Sequence, residues 1–129
     1  MSFEVGVCAR FTATHHLVGD FGPASHPHAH DYRVEASVTG GALQPDGTLL
    51  DITVLQSALA AAIDRLNDSD LNTLSAFAAV NPTAEAVARH LFETIAPELS
   101  STLTHLNVRV WESEEAFAAY FGTPATSRR

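Results

Sequence analysis

The chain has 129 residues, of which 46% are hydrophobic, and this suits one domain with a single core. Its 15 acidic residues outnumber 7 basic ones, and the formal net charge of −8 argues against nucleic acids and anionic membranes as partners. All the basic residues are arginines, so Schiff-base chemistry on a protein lysine is excluded. Because neither a signal pattern nor an apolar run of about eighteen residues is present, we expect a cytoplasmic protein without a membrane span.

Two strands of alternating polarity open the chain. Apolar side chains alternate with polar ones over residues 3–15, which predicts a half-buried strand whose apolar face ends at His15. A second strand, over about residues 28–38, carries His28 and His30 on its apolar face, because residues two apart share a face. Antiparallel pairing of the two strands would bring the three imidazoles together at one end of a buried face.

Three neutral imidazoles that converge and leave room for a fourth ligand are typical of a catalytic zinc site. The alternative for each histidine is an ordinary structural role, with the ring hydrogen bonded at the end of a strand. His26 has the same parity as His28 and His30, so it is a rival ligand. It is also the obvious fourth ligand if the zinc is purely structural, because structural sites are usually closed.

Two helices are predicted after a long loop. The loop covers residues 17–27, and loops of this length between paired strands are more often functional. Asp51 is typical of the N-cap of a first helix, which we expect to reach about Leu66. Asn81-Pro82 predicts the start of a second helix, with Asn as cap and Pro at the first position, and Pro97 ends it.

Two more strands are predicted at about residues 103–112 and 115–121. The order strand, strand, helix, helix, strand, strand indicates an α+β fold, in which two helices cover one face of an antiparallel four-stranded sheet. We expect a single domain over residues 1–122 and a disordered tail over residues 123–129. The opposite face of the sheet is polar and mixed in charge, so we expect it to line an interface or a wet barrel interior.

Five segments, in order along the chain, resemble motifs of the 6-pyruvoyl-tetrahydropterin synthase family, which includes 6-carboxytetrahydropterin synthases. They are Phe11-Thr12-Ala13-Thr14-His15 for F-x-A-x-H, His28-Ala29-His30-Asp31-Tyr32 for H-G-H-x-Y/F, Leu50-Asp51 before the first helix, Asn81-Pro82-Thr83-Ala84-Glu85 for N-P-T-x-E, and Glu112 at the end of the third strand. The resemblance spans about residues 3–120.

This resemblance implies the tunnelling fold, in which subunits join their sheets into a barrel, usually as a trimer or as two stacked trimers. It implies that His15, His28 and His30 hold Zn²⁺, and that the site lies between subunits. It also implies that Glu112 binds the amino and ring N–H edge of a pterin and that Thr83 helps to line the pocket. The activity implied is that of a zinc-dependent lyase acting on the side chain of a dihydroneopterin or its triphosphate.

The chain departs from the family pattern at the residues that move protons. Where the family has a cysteine base, four residues before the first His of H-x-H, this chain has Ala24. Where the family has an Asp-His pair after the first helix, this chain has Asn67 and Asp68.

Two interpretations of this departure are open. In the first, His26, Asp31, Asp68 or Asp70 replaces the missing groups, and the reaction is the family's own or a retro-aldol cleavage of the same side chain. In the second, the protein is a non-catalytic homologue that binds a pterin or a metal.

Overall fold

The computed structural model describes residues 1–125, so residues 126–129 of the predicted tail lie outside the described part. The strands are β1 (Phe3–His15), β2 (His28–Gly40), β3 (Ser69–Asp70), β4 (His105–Trp111) and β5 (Phe117–Gly122), and the helices are α1 (Ile52–Asp64) and α2 (Ala84–Ile95). Short 3-10 turns lie at Gly22–Ser25, Leu71–Thr73, Ser75–Phe77 and Ala96–Glu98. The predicted α+β order is confirmed. Within the described residues, no helix is long and apolar enough to cross a membrane.

The sheet has five strands, in the order β3-β1-β2-β4-β5, rather than the four that were predicted. Four of them pair antiparallel as expected, and the fifth, β3, is a two-residue strand that runs parallel to the end of β1. A strand of two residues is too short to show the alternation of polar and apolar side chains by which strands are predicted from sequence. It forms because the chain leaving α1 returns alongside Ala13 and Thr14.

One face of the sheet and both helices enclose the core. α1 packs against β1, and α2 packs against β4 and β5. The buried side chains of β2 alternate along the strand from Tyr32 to Val38, and β4 contributes Leu106, Val108 and Val110 to the same face. The histidine face predicted from parity is therefore the face that the helices cover.

The start of α2 was predicted wrongly by a few residues. We expected Asn81 to be the cap and Pro82 the first helical residue, whereas the N-cap is Thr83 and the helix begins at Ala84. The Thr83 hydroxyl accepts a hydrogen bond from the Ala86 N–H at 3.1 Å. The Asn81 side chain is bonded instead to the backbone of Val18, which lies in the loop after β1.

The cap of α1 gives a test of stability that lies far from the histidines. The Asp51 carboxylate accepts hydrogen bonds from the Thr53 hydroxyl and from the Thr53 N–H. Both bonds lower the pKa of the carboxyl, and the bond from the hydroxyl has the larger effect. A lowered folded-state pKa means that the cap stabilises the protein above the unfolded-state pKa and is lost as pH falls through the folded-state value. We expect Asp51→Ala to lower the unfolding temperature at neutral pH and to have a smaller effect in acid. Asp51→Asn is the control, because asparagine can still cap the helix. If Asp51→Ala lowered the unfolding temperature equally at neutral and acid pH, the stabilising role of the ionised Asp51 carboxylate would be contradicted.

Candidate metal centre

Strand register brings the three histidines together. In the antiparallel pairing of β1 with β2, His15 lies opposite His28, and Ala13 lies opposite His30. One ligand atom from each ring lies within 4.8 Å of the others. The ring centroids of His15 and His28 are 4.5 Å apart, and each of these rings is 4.9 Å from His30. The convergence predicted from parity is confirmed.

Backbone carbonyls orient two of the three rings. The His15 Nδ1 lies 2.7 Å from the carbonyl oxygen of Pro82, and the His28 Nδ1 lies 2.7 Å from the carbonyl oxygen of His26. A carbonyl can only accept, so each Nδ1 carries a proton, and in the neutral form of each ring Nε2 has the free lone pair. This is the usual arrangement of a metal-binding histidine, whose second nitrogen donates to a carbonyl or carboxylate.

The surroundings of His30 favour its neutral form. Burial lowers the pKa of His30, and the neighbouring His15 and His28 lower it further, while Glu112 acts in the opposite direction. A neutral imidazole is the form that binds a metal ion. His15 is only 3% exposed, and His28 and His30 are half-buried, so the ring cluster opens to solvent on one side.

The cluster has three protein ligands and leaves further positions open. Among residues 1–125, no other histidine, cysteine or carboxylate side chain joins the group. His26, the rival ligand, is exposed, and its contact with the group is the hydrogen bond that its backbone carbonyl accepts from the His28 ring. Three nitrogen donors with an open fourth position fit Zn²⁺ in the manner of catalytic sites and do not fit a closed structural site.

A cleft of about 560 Å³ lies mainly on the polar face of the sheet and reaches one of the three histidines, His30. Its walls include His30, Trp111 and Glu112. Glu112 follows β4 directly, is half-buried, and its backbone N–H is fixed by the Ala116 carbonyl at 3.2 Å. A carboxylate held on the rim of this cleft could accept hydrogen bonds from a planar ligand whose other end reaches the histidines.

The other residues predicted for the site lie further out. Thr83 lines a second cavity, of about 760 Å³, between α2, the 3-10 turn before it and β5, and its hydroxyl serves as the α2 cap. Asp70 is exposed and accepts from the Asn72 N–H at 3.1 Å. Asp68 is exposed and has a positive φ of 58° at the turn after α1, where its N–H donates to the Thr12 carbonyl. Within one chain, these groups are not assembled around the histidines.

Two residues that were not predicted for the site lie directly behind it. Pro82 supplies the carbonyl for His15, and Tyr32 is fully buried with its hydroxyl 3.4 Å from the His15 Nδ1. Burial, with a contribution from Glu112, raises the pKa of Tyr32, so this phenol stays protonated. The parity of Tyr32 with His28 and His30 could have indicated its place. No signal in the sequence marks the Pro82 carbonyl.

The sequence and the fold both match one family of known proteins. The model of the 6-pyruvoyl tetrahydropterin synthase family matches residues 4–123. A 6-pyruvoyl tetrahydrobiopterin synthase of Dictyostelium discoideum is 25% identical over 124 residues, which cover 87% of this chain and 90% of that protein.

Solved structures show the same fold. The 6-pyruvoyl tetrahydropterin synthase of Caenorhabditis elegans matches with a TM-score of 0.82 and 22% identity over 95% of this chain and 97% of that chain. A Plasmodium vivax 6-pyruvoyltetrahydropterin synthase, in a variant that replaces a catalytic glutamate with alanine, has a TM-score of 0.80 and 14% identity over 95% of this chain and 99% of that chain. The predicted tunnelling fold is thus confirmed, and the chain belongs to the 6-pyruvoyl tetrahydropterin synthase family.

Proposed function

We propose that this protein is a zinc-dependent lyase that acts on the side chain of a dihydroneopterin or dihydroneopterin triphosphate. The observation that carries the proposal is the open three-histidine group, one member of which, His30, lines the same cleft as Glu112. Membership of a family of pterin synthases supports the substrate class. When bound, Zn²⁺ would supply a Lewis acid that lowers the pKa of a hydroxyl on the substrate side chain.

The chain's own residues have separate tasks in this proposal. His15, His28 and His30 hold the metal, and the carbonyls of Pro82 and His26 fix the direction of two of the rings. Glu112 anchors the pterin, since a carboxylate can accept two parallel hydrogen bonds from its amino and ring N–H groups. Thr83 and the cavity it lines would complete the pocket from a neighbouring subunit, in a homo-oligomer of three or six chains.

The proton-transfer group is the part in which this chain differs from the family pattern. Ala24 is a half-buried residue of the 3-10 turn Gly22–Ser25 and has no side-chain group to act as a base. We propose His26 for this role, because it is exposed in the same loop and its carbonyl already touches His28. Asp68 and Asp70 are the further candidates. A glutamate is named as a catalytic residue of the Plasmodium vivax relative, which supports testing carboxylates in this chain as well.

A second candidate function is a homologue that binds a pterin without converting it. Ala24 and Asn67 favour this interpretation, because neither side chain can act as a general base. In this chain Asn67 has a structural contact, in which its side-chain oxygen accepts from the Thr12 N–H at 3.0 Å. Conversion of the pterin, rather than its binding, therefore separates the two candidates.

The metal centre can be tested by elemental analysis and zinc titration. We expect one Zn²⁺ per chain in the wild type and its loss in His28→Ala, because two imidazoles make a much poorer site. His105→Ala removes a histidine from the polar side of β4 and should leave the zinc content unchanged. His26→Ala should also retain zinc. Loss of zinc in His26→Ala would indicate a closed four-ligand site and would overturn the catalytic assignment.

The activity can be tested by incubating the zinc-loaded protein with dihydroneopterin triphosphate and with dihydroneopterin, followed by mass analysis. We expect a product with an altered side chain, and a much slower reaction for His26→Ala. Bound but unchanged pterin would support the binding homologue. A wild-type rate for His26→Ala would remove His26 from the mechanism and leave Asp68 and Asp70 to be tested in the same way.

The pterin anchor has its own test. Glu112→Gln should keep zinc but weaken pterin binding by about 30-fold, since a hydrogen bond to a charged group contributes about 2 kcal/mol. Glu114→Gln makes the same change of charge at another wall residue of the cleft and should leave pterin affinity nearly unaltered. Equal losses in the two variants would mean that only the overall charge of the cleft matters. Affinities would be measured by calorimetry.

A further inference from the structure

Two asparagine side chains form hydrogen bonds with the backbone that follows His15, in the way that a neighbouring strand would. Asn72 accepts from the His16 N–H at 2.9 Å and donates to the His16 carbonyl at 3.0 Å. Asn81 does the same for Val18, with distances of 2.8 Å and 3.1 Å. Residues 16 and 18 lie beyond the last residue of β1, so each amide continues the hydrogen bonding of the strand where no strand is present.

Asn81 differs from Asn72 because the residue after Asn81, Pro82, contacts the ring of His15. Pro82 is buried, and its carbonyl receives the His15 Nδ1–H at 2.7 Å. The Asn81 carbonyl in turn accepts from the Thr83 N–H at 2.9 Å, and Thr83 caps α2. One short segment anchored on a helix therefore holds both the ring of His15 and the backbone three residues further along.

We propose that Asn81 is a positioning residue of the metal centre, which acts by clamping Val18 so that the His15 ring stays on the Pro82 carbonyl. The inference rests on the metal site of the proposed function.

The physical reason is the position of His15 at a strand end. His15 and His28 are the last pair of the β1–β2 ladder, so ladder hydrogen bonds hold the backbone of His15 on one side only. The Asn81 clamp fixes the chain beyond it. Asn72 still holds His16, and the Leu17 N–H still donates to the Ala24 carbonyl at 2.9 Å. Without the clamp, however, Val18 is no longer tied to the segment that carries Pro82, so the Pro82 carbonyl can shift from the His15 ring and the His15 Nε2 loses its fixed direction. Metal affinity is sensitive to such supporting contacts, whose removal typically costs about 10–100-fold.

The experiment measures zinc affinity by competition with a chromophoric chelator, alongside thermal unfolding of the metal-free protein. Asn81→Ala removes both clamp bonds and should weaken zinc binding by about 10-fold, the lower end of the range for supporting residues. Asn81→Asp keeps an oxygen for the Val18 N–H, but it puts a carboxylate oxygen against the Val18 carbonyl in place of the N–H donor, so its zinc affinity should also fall below that of the wild type. Visible absorption of the Co²⁺-loaded proteins should show altered coordination geometry in both variants.

Asp51→Ala is the matched control, because it also removes a side-chain contact to the backbone but lies beside Phe3 and Glu4, at the end of β1 opposite His15. It should lower the unfolding temperature and leave zinc affinity and the Co²⁺ spectrum unchanged. An unchanged zinc affinity in folded Asn81→Ala, or an equal loss in Asp51→Ala, would overturn the proposal. If Asn81→Ala does not fold, Asn81→Asp decides, and a wild-type affinity in that variant would overturn it. Absence of zinc from the wild type would instead defeat the proposed function, and this inference with it.

Discussion

The antiparallel register of β1 with β2 is the constraint on which the whole site depends. It places His15 opposite His28 and brings His30 onto the same face. A slip of one residue would turn every side chain of one strand to the other face and separate the rings. Burial excludes such a slip, because Phe11, Val34 and Val38 would then turn away from the helices that cover them. The apolar core thus fixes the geometry of the polar site at its end.

The core reaches almost to the metal centre. Phe11 and Tyr32 stack with ring centroids 4.7 Å apart, and Tyr32 lies edge-on to His30 at 5.3 Å. The histidine rings therefore pack against an aromatic layer on one side, while His28 and His30 remain partly exposed. Burial lowers the pKa of His30, because the charged form of its ring would lose hydration. The packing of the rings, the Nδ1 hydrogen bonds of His15 and His28 and the lowered pKa of His30 all favour metal binding.

The strands and the three histidines could be predicted from the sequence because alternation is a local signal. Parity alone gave β1 its observed bounds and put His15, His28 and His30 on one face. The start of α2 could not be chosen in the same way, since Asn81 and Thr83 are both good caps two residues apart. Only the contact of Asn81 with Val18, which is 63 residues distant, decides between them. The strand β3 and the carbonyl of Pro82 were missed for the same reason, because both depend on contacts between distant parts of the chain.

The placement of residues on strands or loops explains which parts of the family pattern this chain keeps. The three histidines and Glu112 lie on or directly after paired strands, where the core holds each side chain to a fixed direction. Ala24, Asn67 and Asp68 lie in turns, at the positions where the family pattern has its proton-transfer groups. A loop position can change its residue without disturbing the core, and a base need only reach the substrate from one of several directions. The residues proposed to bind the metal and the pterin are therefore held by the fold, whereas the proposed acid and base lie where a substitution leaves the fold intact.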